Sequence, residues 1–183
     1  MLYIQKPLQQ YLDDLASAQP APGGGSASAL SGAMAAALAS MVCRLTLGKA
    51  GYEEARAEIE DILAQTEQAR RRFTELLEED ITAYGRLSTS YKLPRGDDEE
   101  RAARTRAIQE NLAGAAEVPL EVVECAARLS QLLMRIAEIG NTSLLSDLTT
   151  AVSLARTASQ GAAAMVQVNL RYMRETTLVG KLK

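Results

Sequence analysis

Residues 20–49 read PAPGGGSASALSGAMAAALASMVCRLTLGK, and the fold turns on how this stretch is understood. A proline leads into three glycines, Gly23–Gly25, and these run into a long tract of Ala, Ser, Gly and Met. The tract is rich in strong helix formers and free of proline, so it predicts a helix that starts at Gly24–Ser26 and runs to about Leu47. Gly48 and Gly51 close it. Gly24, Ser28, Gly32, Ala36 and Ser40 recur every four residues and make a face almost without bulk, against which another helix can lie close. The glycines leave the backbone bare to a ligand, and the helix start offers unpaired N–H groups. From these residues alone, a plain tight turn before a core helix is an equal reading.

Outward from this stretch the chain reads as helix. A first helix starts near Pro7, a favoured first-turn residue, with Leu8, Tyr11, Leu12 and Leu15 on one face. A third is expected from about Tyr52 to Ser90, its apolar stripe running from Ile59 through Phe73, Leu76 and Tyr84 to Leu87. The KLPRG segment at 92–96 ends it. A fourth starts near Asp97–Glu100 and reaches about Ile139, and Pro119 is expected to kink it or split it in two. Gly140 and Asn141 form a stop. The last helix, from about Ser146 to Glu175, is again rich in small residues. The runs lack the alternation of strands. The expectation is one domain over residues 1–183, all-α, an up-and-down multi-helix bundle with long helices. The two small-residue helices are expected to pair within the chain or across a dimer interface.

Composition narrows the function. Of 183 residues 47% are hydrophobic, many of them alanine, while aromatics make up only 4%. Such a core gains from close helix packing rather than from large side chains. A net charge of -3 gives no support for nucleic-acid or membrane-surface binding. Ala27–Leu45 has the length of a membrane span, but it is Ala- and Ser-dominated, and Arg44 and Lys49 flank one side only, so it reads as a core helix. Charges interrupt the N-terminal segment too early for a signal peptide. There is no histidine, which argues against a zinc site and removes the usual base at neutral pH; no metal is expected. Cys43 and Cys125 lie in apolar helical patterns and read as buried, inert thiols, which suits a cytoplasmic location.

Two carboxylates stand out. Asp80 falls on the buried stripe, four residues after Leu76 and four before Tyr84, so it needs a partner or a task. Asp147 follows Ser146 at the start of the last helix, where a cap is the simpler reading. With Asn141, Thr142 and Ser143 it nonetheless forms a dense polar cluster able to meet a ligand. Lys92 lies at the break between the long helices, where a solvated loop is the simpler reading. Arg70–Arg72 and the pair Glu117 and Glu121 read as solvated faces.

Taken in order, PAPGGGSASAL at 20–30, LTLGKAGYEE at 45–54, DITAY at 80–84, YKLP at 91–94, AIQENLAGAAEVPLEV at 107–122 and GNTSLLSD at 140–147 resemble the C-terminal family of formiminotransferase-cyclodeaminases. The family includes formiminotetrahydrofolate cyclodeaminases and stand-alone methenyltetrahydrofolate cyclohydrolases. The resemblance covers nearly the whole chain; one departure is SLLSDLTTAV, where relatives are richer in Ala and Gly after the aspartate. It implies an all-helical homodimer acting on a folate one-carbon unit, with no cofactor beyond the tetrahydrofolate substrate and without the formiminotransferase part. On that reading Asp147 first and Asp80 second are the acid/base or cation-stabilising groups, and Lys92 orients a carbonyl or the polyglutamate tail. Gly23, Gly24, Gly25, Ser26, Asn141, Ser146 and Tyr84 are then expected to contact substrate. The competing expectation is a non-catalytic helical dimer that binds folate or a protein partner.

Overall fold

The computed structural model describes residues 2–174. Five α-helices follow one another, α1 (Leu8–Leu15), α2 (Gly24–Leu47), α3 (Arg56–Ser90), α4 (Asp98–Ile139) and α5 (Leu145–Tyr172), with short 3-10 turns at Tyr3–Gln5 and Thr142–Leu144. No strand occurs among the described residues. The four long helices run up and down around one core. α2 packs on α3 and α5, and α4 packs on α3 and α5.

The small-residue face of α2 sets the spacing. A Cβ added at Gly32 would meet the ring of Phe73 at 2.5 Å, so the ring lies directly on the α2 backbone. Phe73 is fully buried there, a placement that stabilises by roughly 1.5–3 kcal/mol. One turn pair further on, Ser40 donates to Thr66 at 2.9 Å inside the core. In the other direction Gly25 lies against Asp80. These three contacts fix an antiparallel register between α2 and α3. The two small-residue helices also pair: Gly24 faces Met165, and a Cβ at Gly161 would overlap the Ser28 hydroxyl.

α2 is long and apolar enough to cross a membrane by length and composition alone. In the fold one side of it faces the core, with Ala29, Ala35, Ala36 and Ala39 at 0% exposure. Its other side carries Leu30, Met34, Ala37, Met41 and Leu45, spaced three or four apart and partly or largely open to solvent.

Three expectations change. α3 starts at Arg56 rather than near Tyr52, because Gly51 adopts φ 90° and its N–H is taken by the Glu53 carboxylate at 3.0 Å. Pro119 does not split α4, which is continuous from Asp98 to Ile139. Arg72 is no solvated charge: it is held by Glu121 at 2.6 and 2.8 Å, by Glu79 at 2.6 and 3.1 Å and by Glu75 at 3.0 Å, tying α3 to α4. Its partner Glu121 is correspondingly half-buried rather than on an open face. The last expected helical residue, Glu175, lies outside the described residues.

Candidate active site

The glycine turn is locked from below. The Ser26 hydroxyl donates to the Gly23 carbonyl at 2.9 Å and accepts the Gly23 N–H at 3.2 Å. Its one proton is thereby used, so the Tyr11 hydroxyl, 3.2 Å away, donates to it. Ser26 is at 0% exposure. The expectation that it touches substrate is therefore corrected: it holds the turn and has no face left to offer.

Above the turn lies a cavity of about 310 Å³. Gly23, Gly24 and Gly25 with Pro20 and Ala21 before them form one wall, Asp80 and Tyr84 of α3 another, and Ala115 of α4 with Met165, Val168 and Asn169 of α5 the rest. The sequence thus brings Gly23–Gly25, Asp80 and Tyr84 together. Gly25 is needed because any Cβ there would overlap the Asp80 carboxylate.

Asp80 is half-buried. Burial raises its pKa from 3.8 to about 6, and the bond it accepts from the Ser26 backbone N–H opposes that rise only in part. None of the ion pairs among the described residues includes it. A carboxylate with a raised pKa, no cation and a cavity in front of it suits a cationic ligand or a proton transfer near neutral pH.

The remaining expected residues lie elsewhere in the chain. Asn141, Ser146 and Asp147 sit at the opposite pole, where α2 ends and α5 begins. There Lys49 donates to Asn141 Oδ1 at 2.8 Å and to the Ser143 hydroxyl at 3.2 Å, and the Asn141 N–H bonds the buried Thr46 hydroxyl at 3.0 Å. Asp147 lies in the first turn of α5 and does not cap it: the N-cap is Leu144, without a side-chain bond. Along α5 the step from Asp147 to Met165 is about 27 Å at 1.5 Å per residue. Within one chain Asp147 and Asp80 therefore do not share a cleft. Lys92 is exposed on the loop after α3, whose last residue, Ser90, already lies about 15 Å along the helix axis beyond Asp80.

The sequence reading overlooked Asn169, Met165 and Val168 in the cleft and Lys49 at the far pole. A larger groove of about 610 Å³ runs between α3 and α4, but the buried-side charge in it, Arg72, is already saturated by carboxylates. Both cysteines are buried, and burial pushes the Cys43 thiol up to about 11, which makes it a poor nucleophile. Among the described residues no group of three or more His, Cys, Asp or Glu is arranged to hold a metal ion.

An antiparallel all-α bundle with a half-buried carboxylate, outside every ion pair of the described residues, over a bare-backbone turn suits a small-molecule site of acid/base type. Comparison with known proteins gives this class its family. A family model described as formiminotransferase-cyclodeaminase matches residues 7–183, and the chain belongs to that family. It is 42% identical over 164 residues to a methenyltetrahydrofolate cyclohydrolase of Methylorubrum extorquens, covering 90% of this chain and 79% of that protein. It is 34% identical to the rat formimidoyltransferase-cyclodeaminase, covering 96% of this chain but 32% of that longer protein. The crystal structure of a formiminotetrahydrofolate cyclodeaminase from Thermotoga maritima superposes with a TM-score of 0.86 at 32% identity, over 98% of this chain and 85% of that one.

Proposed function

We propose that this chain is a folate one-carbon enzyme that works on the carbon between N5 and N10 of tetrahydrofolate, hydrolysing 5,10-methenyltetrahydrofolate to 10-formyltetrahydrofolate. The observation that carries the reading is Asp80: a carboxylate without a cationic partner, raised towards neutrality, facing a cavity beside the glycine turn. Its ionised form stabilises the delocalised methenyl cation and accepts a proton from the attacking water. The hydroxyl adduct then collapses. Its O–H proton passes to N5 as the C–N5 bond breaks, and the proton on Asp80 is released to solvent. The identity to a stand-alone cyclohydrolase of similar length supports this assignment.

A second reaction uses the same centre. In cyclodeamination, N10 attacks the formimino carbon held on N5, the imino nitrogen takes the N10 proton and a second from protonated Asp80, and the C–N bond to it breaks as ammonia leaves. The likeness to the Thermotoga cyclodeaminase favours it. Neither reaction calls on a resident cofactor or metal in this proposal; the folate is the substrate.

The proposal extends to a cytoplasmic homodimer. The solvent-facing apolar stripe of α2, from Leu30 through Met34 to Leu45, runs from the Asp80 pole to the Lys49 pole. A second copy packed antiparallel on that stripe by two-fold symmetry would bring the Lys49, Asn141 and Asp147 cluster of each chain towards the cleft of the other. This reading keeps both aspartates in the mechanism, one from each chain, and it takes α2 as an interface helix rather than a membrane span.

The test is optical. Methenyltetrahydrofolate absorbs in the near ultraviolet, so its loss with purified protein reports hydrolysis, and its appearance from the formimino substrate reports cyclodeamination. Tight binding of folate with neither change would instead identify a non-catalytic binding dimer.

A further inference from the structure

Pro119 sits inside α4, where it has no N–H to give to the carbonyl of Ala115, four residues earlier. Ala115 is buried at 7% exposure, so water is a poor substitute. The donor comes from another helix: Asn169 of α5 places its Nδ2 at 2.8 Å from the Ala115 oxygen. This explains why α4 stays unbroken.

The same bond sets the orientation of the amide. Flipped, it would put oxygen against oxygen, so the Nδ2 faces α4 and Oδ1 faces away. No hydrogen bond among the described residues uses Oδ1; the only one that Asn169 makes through its side chain is the bond to Ala115. Asn169 and Ala115 both line the cleft that Asp80 faces. The cleft is therefore lined by an anion on one wall and by an amide whose acceptor is free of protein partners among the described residues on another. A ligand that satisfies both carries a delocalised positive charge and an N–H donor edge.

We infer that Asn169 reads the N–H edge of the reduced pterin and that Pro119, through the Ala115 carbonyl, is the residue that aims it. This rests on the folate reading above. Asn169 is a specificity-determining contact; Pro119 is a positioning residue.

The test uses Asn169→Ala, Pro119→Ala and the double variant, each as the full chain, with methenyltetrahydrofolate turnover and thermal unfolding measured in parallel. Asn169→Ala removes one neutral hydrogen bond to substrate and is expected to raise KM about three- to tenfold with kcat within about twofold. It should also lower Tm, since the Ala115 carbonyl is left without a donor. Pro119→Ala supplies an N–H for that carbonyl and releases the amide. It is expected to keep or raise Tm and yet raise KM about twofold or more. In the Asn169→Ala background, Pro119→Ala should restore Tm and leave KM unchanged. A purely structural role for Asn169 would move Tm alone. An unchanged KM in folded Asn169→Ala, or in Pro119→Ala, overturns the inference. Failure of the folate reading shows separately, as wild-type protein inert on both folate substrates. In that case calorimetric binding of tetrahydrofolate decides: weaker binding by Asn169→Ala supports the inference, and equal binding or no wild-type binding overturns it.

Discussion

Replacing Asp80 by asparagine is expected to stabilise the protein near neutral pH while it removes turnover. Burial raises the carboxyl pKa from 3.8 to about 6. At 1.36 kcal/mol per pH unit, the shift corresponds to at most roughly 3 kcal/mol of destabilisation once the group is ionised. Asp80 is only half-buried, so screening by solvent reduces this to about 1–2 kcal/mol. The sign follows from proton binding. Below the ordinary value both folded and unfolded chains hold the proton, and the residue makes no difference. As pH rises towards 6, the unfolded chain releases its proton first, and the folded state loses stability relative to it. Above about 6 the penalty is complete. Asparagine has the same shape, stays neutral and still accepts the Ser26 N–H. Urea unfolding followed by circular dichroism, at one fixed protein concentration and from about pH 4 to pH 8, reads the difference. The gap between variant and wild type should be smallest at the acid end, closing only below 3.8, and reach about 1–2 kcal/mol above pH 6, or several degrees in Tm at about 2–4 °C per kcal/mol for a chain of this size. A variant less stable than wild type at neutral pH would refute the reasoning, because it would mean that a cation pairs with Asp80.

Three other outcomes follow from the same geometry. Gly25→Ala displaces the Asp80 carboxylate and is expected to cost at least about 100-fold in kcat/KM while far-ultraviolet circular dichroism stays native; near-normal turnover would free Gly25 from the site. In wild type, kcat/KM should rise with pH through about 6, since the ionised carboxylate is the active form, and fall away below it. The limb seen in kcat should lie lower, because bound cationic substrate favours ionisation. If each site combines Asp80 of one chain with Asp147 of its partner, Asp80→Asn and Asp147→Asn are each inactive alone. An equal mixture exchanged through unfolding and refolding should then recover about a quarter of wild-type activity, since half of the dimers hold one intact site. No recovery would remove Asp147 from the shared site.

Much of the fold could be read along the chain. α2 has the boundaries that its small residues and flanking glycines require, and Asp80 falls on the stripe where helical spacing puts it. What one helix alone does not encode is its register against the next. Nothing near Gly25 in sequence says that the residue facing it is Asp80 rather than Leu76 or Tyr84. The separation of Asp147 from Asp80 was legible in principle: in an up-and-down bundle the start of α5 shares a pole with the end of α2, not with its beginning. Asn169 was hidden for a different reason. Its signal is Pro119, fifty residues away, whose missing donor matters only once α5 lies alongside α4. Ser26 looked like a ligand group because hydroxyls beside glycine turns often are, and only the packing of Tyr11 beneath it shows that its bonds are already used.

The most direct measurement is the near-ultraviolet absorbance of methenyltetrahydrofolate with purified wild-type protein and with Asp80→Asn at pH 7, each corrected for spontaneous hydrolysis. Wild type should consume the substrate catalytically, and the variant should be slower by about 100-fold or more while remaining at least as stable. Equal rates for the two proteins would contradict the role given to Asp80 and with it the cleft at the glycine turn as the seat of the chemistry.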